Sequence, residues 1–342
     1  MSHSRCCAGR VIRSLRLRSG AMHVRHTATH VEILAPAKIN LFLEVLARRP
    51  DGFHEIETLM AAVTVFDTLT FTGAPNPAIV FRCRWAHGIV AATRPTGESS
   101  LGEIPTDSRN LVVRAVELVR ERAGHSSGAT IELVKRIPAA AGLGGASSDA
   151  AAALVAANIG WQLHWPLDRL LELAAELGSD VPFFLTAGYA VCRGRGERIE
   201  PRALPRLHLA IVRPPAGLST PAVYARCTPS REPCGVATVA AALVKGNAIT
   251  AEANGWKNDL QPAARSLSPW IDKSLAALDE AGAVKWQMSG SGSSCFGLCR
   301  SARHARRVAS RLRARGIGTT FAATGSTGTT AVANGPRDGL RQ

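Results

Sequence analysis

The sequence predicts an α+β protein of two lobes. Strand-like and helix-like segments follow one another without the regular alternation of a parallel α/β sheet. A glycine-rich loop at 138–148 joins a predicted strand to an alanine-rich helix, and a second glycine–serine loop lies far along the chain at 289–293. The 342 residues suffice for two hydrophobic cores.

The order of apolar residues predicts the individual elements. Short β-rich runs predict strands at 31–34, 41–46, 61–71, 130–134, 207–212, 284–288, 294–298 and 319–323, with a turn at 35–38 between the first two. Helical spacing predicts helices at 110–122, 147–159, 167–177, 238–243, 260–267, 271–281 and 302–313. Asp107 stands where the cap of the first helix belongs, and Gly124 follows its end.

The two ends of the chain lack hydrophobic periodicity. Residues 1–30 are rich in arginine and have no acidic residue, so we expect a leader that is disordered or not native. An organelle transit peptide and a true start at Met22 are both compatible with this composition. The strand at 207–212 opens a second half, and the boundaries predicted on this basis are 31–200 and 201–325. Residues 326–342 form a predicted flexible tail.

The net charge of +15 raises the question of nucleic-acid binding. Six arginines precede the first acidic residue, Glu32, and others follow one face of the helix at 302–313. Because these basic tracts lack interleaved aromatic residues, we predict no nucleic-acid partner. No apolar run reaches the roughly 18 residues of a membrane span, so no membrane partner is predicted. The cysteines form no CxxC pair, and reduced thiols in the cytoplasm are expected.

The glycine-rich loop is the strongest chemical signal. Its residues are Pro138, Ala139, Ala140, Ala141, Gly142, Leu143, Gly144, Gly145, Ala146, Ser147 and Ser148. Glycines let backbone N–H groups approach phosphate oxygens, and the start of the following helix adds further N–H groups. Ser147 and Ser148 could cap that helix and offer hydroxyls to phosphate or Mg²⁺. No Gly-Lys-Ser/Thr follows, which excludes a Walker A loop, and a tight packing turn is the structural alternative.

Lys38 and Asp180 form the second signal. Lys38 lies among apolar residues, where an unpaired lysine is rare, and Asp180 is the predicted partner. Asp180 follows Gly178 and precedes an apolar run, a setting suited to a general base or to a helix cap. A lysine that reaches solvent is the alternative for Lys38. The loop at 289–293 could close over a substrate or stabilise the phosphate loop from the other lobe.

Together these segments resemble the GHMP kinase superfamily over about residues 31–325. The stretches 36–41, 49–58 and 105–111 resemble one branch of it, which phosphorylates cytidine diphosphate-linked methylerythritol in the non-mevalonate isoprenoid pathway. The resemblance implies an ATP-binding N-terminal lobe whose fold is like that of domain 2 of ribosomal protein S5. It also implies a ferredoxin-like C-terminal lobe. It also implies ATP and Mg²⁺ as cofactors, and a small-molecule substrate.

The resemblance assigns roles residue by residue. Lys38 and Asp180 match the catalytic pair, with Asp180 as general base, and 138–148 matches the loop that binds ATP phosphates. Of the two serine hydroxyls in that loop, we predict that Ser148 is a ligand of the ATP-bound Mg²⁺. The implied substrate-binding residues are Asn40, Phe53, His54 and Tyr224. Phe53 replaces the tyrosine usual in the family, and Ala146 replaces a glycine.

Two other functions are compatible with parts of the sequence. A GHMP kinase for homoserine or a mevalonate derivative would share the loop and the Lys38–Asp180 pair, but 51–54 favours the cytidine-bearing substrate. A non-catalytic, basic RNA-binding protein would need neither. We therefore predict a cytoplasmic kinase, or a plastid one if the leader is a transit peptide.

Overall fold

The structure is a computed structural model that describes residues 21–93, 101–186, 188–245 and 256–326. Its strands are β1 (His23–His26), β2 (Val31–Arg48), β3 (His54–Ala74), β4 (Ile79–Trp85), β5 (Gly128–Lys135), β6 (Tyr189–Gly194), β7 (Arg198–Pro201), β8 (His208–Arg213), β9 (Lys285–Met288), β10 (Cys295–Cys299) and β11 (Thr319–Thr324). Its helices are α1 (His87–Thr93), α2 (Leu111–Ala123), α3 (Gly145–Gly160), α4 (Leu167–Leu177), α5 (Val181–Thr186), α6 (Thr220–Ala225), α7 (Val236–Val244), α8 (Gln261–Leu267), α9 (Trp270–Glu280) and α10 (Ala302–Ala314).

The strands form two sheets, one for each lobe. The first has the order β1-β2-β3-β5-β4, with β6 paired to β3 and β7 to β6. The second has the order β11-β8-β10-β9, and all its neighbours are antiparallel. With α8 and α9 between β8 and β9, and α10 between β10 and β11, this is the ferredoxin-like topology. The α+β, two-lobed fold predicted from the sequence is confirmed.

The strand β2 differs from the prediction. We expected a turn at 35–38, but one strand continues through it, paired with β3 along its whole length. Register shifts lie between Pro36 and Ala37 and between Asn40 and Phe42. A proline has no N–H to donate, and a bulge is one of the few places in a sheet that tolerates one. The sequence signal of a turn was therefore the signal of a bulge.

The predicted leader is wrong in its second part. Residues His23–His26 form β1, which pairs antiparallel with β2 from His23 opposite Leu34 to His26 opposite Val31. Ala21 and Met22 are buried in the first core. Alternating polar residues hid this strand, because only one of its faces meets the protein. Residues 1–20 lie outside the described part of the chain. So does the predicted tail, apart from Ser326, whose N–H donates to the Ala62 carbonyl at 2.9 Å.

The helix α3 is the centre of the first core. Its alanines from Ala150 onward are buried on every side, which fits a helix that is apolar all round beyond its first turn. Small side chains let it pack closely against β2, β3, α2, α4 and α5. Since α3 begins directly after the glycine-rich loop, its close packing also fixes where that loop ends.

Helix α2 shows how local chemistry sets an end. Its cap is Asn110, whose Oδ1 accepts from the Val112 N–H at 2.9 Å, whereas the expected cap, Asp107, accepts instead from Arg109. Gly124 closes the helix in the left-handed conformation, with φ of 59°. The arginine-rich α10 packs through residues such as Val308 and Leu312 and leaves most of its arginines to solvent. In the described ranges, no helix combines the length and apolarity needed to span a membrane.

A buried charge cluster ties β5 to α3. The Lys135 ammonium, at the end of β5, is paired with Asp67 and lies 2.6 Å from Asp149, the fifth residue of α3. Asp67 also accepts from the backbone N–H groups of Arg136 and Ile137, at the entry to the glycine-rich loop. Because Lys135 reaches both strand and helix, this cluster holds the two ends of the loop together.

The pKa values of the cluster reflect its burial. Burial raises the pKa of Asp149 from 3.8 to about 8, against the opposing attraction of Lys135. Burial alone would lower the pKa of Lys135, but Asp149 and Asp67 outweigh it and raise the pKa. Two carboxylates share one ammonium here, so a retained proton on Asp149 balances the cluster.

We expect Lys135→Met to destabilise the protein by about 3–5 kcal/mol, because it leaves the buried Asp67 carboxylate without its counter-charge. Urea-induced unfolding near pH 7.5 measures this loss. The control is Arg122→Met, which breaks the half-exposed pair with Glu176 and should cost roughly 0–1 kcal/mol. Equal losses in the two variants would contradict the structural role of the cluster.

We expect Asp149→Asn to change how stability depends on pH. In the folded state Asp149 keeps its proton up to about pH 8, whereas in the unfolded chain it loses the proton near 3.8. The unfolded state therefore binds fewer protons between these values, and this group lowers stability as the pH rises through that window. The variant lacks this decline, so its stability relative to the native protein should rise from pH 5 to pH 8.5 in urea unfolding. Parallel pH curves for the two proteins would be the contrary result.

Candidate active site

A single cleft of about 780 Å³ contains almost every residue singled out from the sequence. Its lining includes Lys38, Asn40, Phe53, His54, Pro138, Ala139, Ala140, Ala141, Gly142, Leu143, Gly144, Gly145, Ala146, Ser147, Asp180 and Tyr224. Residues of both lobes contribute to it. Ser148 is the predicted site residue that does not line the cleft.

Lys38 and Asp180 form an ion pair in the wall of the cleft. Lys38 Nζ lies 3.4 Å from Asp180 Oδ2, and the side chains are 7% and 34% exposed. Lys38 comes from the middle of β2, and Asp180 immediately precedes α5. The pairing that a buried lysine required is thus present, and the carboxylate remains accessible to a ligand.

Asn40 fixes the position of the Lys38 ammonium. Lys38 Nζ donates to Asn40 Oδ1 at 2.7 Å, and Asn40 Nδ2 donates to Thr58 Oγ1 at 2.8 Å. The Thr58 hydroxyl in turn donates to the Phe42 carbonyl at 2.5 Å. The sequence did not single out Thr58, because its role depends on β2 and β3 lying side by side. This series of hydrogen bonds leaves the Lys38 ammonium little freedom to move.

The glycine-rich loop packs directly on Lys38. Gly144 has φ of 68°, and a Cβ there would lie 2.8 Å from Lys38 Cγ. The Lys38 N–H also donates to the Leu143 carbonyl at 2.9 Å. A side chain at Gly144 would therefore strain the backbone and push on the lysine. Ala146 fits because it lies in the first turn of α3, where an alanine is favourable.

The serines after the glycines are placed differently from the expectation. The helix is capped by Gly144, without a side-chain cap, so neither Ser147 nor Ser148 caps it. Ser147 lines the cleft, whereas Ser148 is fully buried and its hydroxyl has no hydrogen-bond partner in the described part of the chain. Neighbouring residues point about 100° apart on a helix. This corrects the expectation that Ser148 is the serine available to Mg²⁺.

The second glycine–serine loop braces the first from the other lobe. Ser289 Oγ donates to the Gly142 carbonyl at 2.9 Å and accepts from the Asn40 N–H at 3.2 Å. A Cβ on Gly142 would lie 2.3 Å from the Ser289 carbonyl oxygen, so only glycine fits there. Asn258 donates to the Gly290 carbonyl and holds this second loop in place. The sequence singled out the loop that contains Ser289, and its contact with Gly142 is the expected bracing of the phosphate loop from the other lobe. Asn258 had no distinguishing local pattern.

Aromatic side chains occupy another part of the cleft. The rings of His54 and Tyr224 have centroids 5.0 Å apart with an interplanar angle of 35°. Burial lowers the pKa of His54, with a smaller contribution from the charge of Arg48, which favours the neutral imidazole. Phe53 is 52% exposed, and the Arg195 guanidinium lies over its ring, with Cζ 4.8 Å from the centroid. Arg195 also lines the cleft, and nothing in the sequence marked it.

Comparisons with known proteins agree with this geometry. Residues 110–188 match the model of the GHMP kinases N terminal domain, and residues 240–318 match that of the GHMP kinases C terminal domain. A 4-diphosphocytidyl-2-C-methyl-D-erythritol kinase of Pelotomaculum thermopropionicum is 42% identical over 286 residues, which are 83% of this chain and 94% of that protein. The protein of the same name from Rhodopirellula baltica is 40% identical over 300 residues, which are 81% and 89% of the two chains.

Solved structures give the same result for the fold. A crystal structure of 4-(cytidine 5'-diphospho)-2C-methyl-D-erythritol kinase superposes with a TM-score of 0.69 at 36% identity, covering 86% of this chain and 98% of that one. A homoserine kinase of Cytophaga hutchinsonii superposes with a TM-score of 0.66 at 20% identity, covering 88% and 96%, and shares the fold alone. On the curated relatives and their coverage of the chain, this protein belongs to the 4-diphosphocytidyl-2-C-methyl-D-erythritol kinase family of the GHMP kinases.

Proposed function

We propose that this protein transfers the γ-phosphoryl group of ATP to the 2-hydroxyl of 4-diphosphocytidyl-2-C-methyl-D-erythritol, a step of the non-mevalonate isoprenoid pathway. The observation that carries the proposal is the Lys38–Asp180 ion pair packed against Gly144 of the glycine-rich loop. A hydroxyl placed at Asp180 would lie next to phosphates placed at the loop. The family relatives supply the name of the substrate.

The glycine-rich loop suits the phosphates of ATP. The first N–H groups of α3 have no partner within the helix, and they add the positive end of its dipole. Gly142 and Gly144 keep side chains away from that surface. The buried cluster of Lys135 with Asp67 and Asp149 joins the two elements on either side of the loop, β5 and α3.

The cleft also fits Mg²⁺ carried by the nucleotide. In the described ranges, no group of three or more His, Cys, Asp or Glu side chains could hold a metal by itself. Nucleotide-bound Mg²⁺ needs few protein ligands, because phosphates and water supply the others. The Ser147 hydroxyl would hold the ion together with the phosphate oxygens. When bound, the ion neutralises charge on the phosphates.

Lys38 and Asp180 would orient the substrate hydroxyl. Phosphoryl transfer needs alignment and charge neutralisation more than covalent help. Asp180, being partly exposed, would accept the hydroxyl proton, while Lys38 fixes the carboxylate through the ion pair. Asn40 keeps the ammonium in place through its own bond to Thr58.

The aromatic end of the cleft suits a cytosine. A neutral imidazole offers one N–H donor and one acceptor nitrogen, which can read the edge of a base. His54 would provide this edge, and the Tyr224 ring offers a face for stacking. Phe53 keeps an apolar surface there but has no hydroxyl to donate.

A substrate panel tests the proposal. With ATP and Mg²⁺, we expect ADP release and a phosphorylated product with 4-diphosphocytidyl-2-C-methyl-D-erythritol, and little turnover with homoserine or mevalonate. Faster turnover with either of the latter would replace the proposed substrate. RNA binding without any ATP turnover would contradict the assignment as an enzyme and favour a non-catalytic RNA-binding protein.

We expect Asp180→Asn to lower kcat by about 10²-fold or more, because the amide cannot take the hydroxyl proton. The Kd of ATP should change little, since Asp180 lies outside the glycine-rich loop. A coupled assay of ADP release measures kcat, and nucleotide titration measures the Kd. Asp168→Asn on the exposed side of α4 is the control and should leave both unchanged. Near-native turnover of Asp180→Asn would contradict its role.

A further inference from the structure

Arg195 is a cleft residue that the proposed catalytic machinery does not use. It occupies the tight turn between β6 and β7, and its side chain is partly buried. The neighbouring arginines are paired, Arg193 with Glu57 and Glu200, and Arg198 with Glu55. Within the described part of the chain, the Arg195 guanidinium makes no ion pair within 4.0 Å, although Asp51 lies near enough to feel its charge. The cleft therefore contains a cation without a close counter-charge.

The turn that carries Arg195 is held in one shape. Gly194 and Gly196 have φ of 76° and 118°, values that favour glycine. The Arg195 N–H donates to Glu197 Oε2 at 2.6 Å, and the Gly196 N–H donates to the Arg193 carbonyl at 3.1 Å. A defined backbone fixes where the Arg195 side chain starts.

The position of this turn relates Arg195 to both ends of the substrate site. The turn backbone is beside Asp180, because a Cβ on Gly196 would lie 3.6 Å from Asp180 Oδ1. The guanidinium itself lies over Phe53, next in sequence to His54. The Arg195 side chain thus extends from the site of phosphoryl transfer toward the aromatic residues.

The cation–π contact with Phe53 positions the guanidinium to bind an anion. The Arg195 guanidinium lies over the Phe53 ring, and the N–H groups that do not face the ring can donate to a ligand. These N–H groups match two phosphate oxygens at once. Phe53 supports the contact through its ring and needs no hydroxyl for it.

We propose that Arg195, held over the ring of Phe53, is a specificity-determining residue that binds the diphosphate of the nucleotide-linked substrate. The proposal rests on the proposed function, in which the base lies at His54 and Tyr224 and the reacting hydroxyl at Asp180. In such a substrate the diphosphate lies between the base and the alcohol. Its negative charge would provide the close counter-charge that Arg195 does not have within the described part of the protein.

Binding of CDP and of cytidine tests the proposal without any turnover. The native protein should bind CDP more tightly than cytidine. Arg195→Met should weaken CDP binding about 10–100-fold, the effect of losing charge-assisted hydrogen bonds, and leave cytidine binding unchanged. Arg195→Lys should recover part of the CDP affinity, because it keeps the charge but not the fork. Arg198→Met, on the same hairpin but outside the cleft lining, is the matched control and should bind CDP as the native protein does.

Kinetics supply the second measurement. Arg195→Met should raise the KM for 4-diphosphocytidyl-2-C-methyl-D-erythritol by a similar factor, with the KM for ATP unchanged. If the native protein does not phosphorylate this substrate, the proposed function fails. If it does, and Arg195→Met keeps both the native KM and the native preference for CDP over cytidine, the role of Arg195 fails. Equal weakening of CDP and cytidine would also overturn it, since that result indicates a damaged site rather than a lost charge contact.

Discussion

The arrangement of the site depends on the contact between the two glycine loops. Ser289 of the second lobe donates to the Gly142 carbonyl of the first and accepts from the backbone of Asn40. The backbones approach so closely that Gly142 has no room for a Cβ. The phosphate loop, the strand that carries Lys38 and the second lobe therefore meet at one point. The shape of the phosphate loop therefore depends on the contact between the two lobes and not on the loop sequence alone.

The buried charge cluster supports the same loop from its other side. Lys135, Asp67 and Asp149 join the end of β5 to the start of α3, the two elements between which the loop runs. Charged residues in a core are costly unless they pair. Here the pairing joins the end of the strand to the start of the helix. The geometry of the glycine-rich loop is thus defined by polar contacts on two sides: the Ser289 hydrogen bond from the second lobe and the charge cluster of Lys135.

Much of the fold could be predicted because its signals are local. The periodicity of α2, α4 and α10 and the glycines that end the first two are visible in the sequence, and so is the need of Lys38 for a carboxylate partner. The strand β1 was missed because its polar face hides the pattern, and the bulge at Pro36 gave the signal of a turn. The roles of Ser289, Thr58 and Arg195 arise from residues far apart in sequence, as with Asn40 and Ser289, and no local pattern encodes such pairings. The prediction for Ser148 was wrong because α3 begins at Gly145, two residues before the expected start. Ser148 therefore lies inside the helix instead of at its cap.

The long pairing of β2 with β3 has a consequence for how this site could change. Lys38 and Asn40 lie on β2, while His54 and Thr58 lie on β3, so one antiparallel ladder connects the chemistry to the aromatic end. Inserting or deleting a residue within the ladder would invert the faces of the strand beyond that point. Changes in chain length are therefore accommodated more easily at the hairpin tip, 49–53, or at the existing register shifts than between them. Between these points, a preference for longer or shorter substrates would have to evolve by side-chain replacement along a frame of constant dimensions.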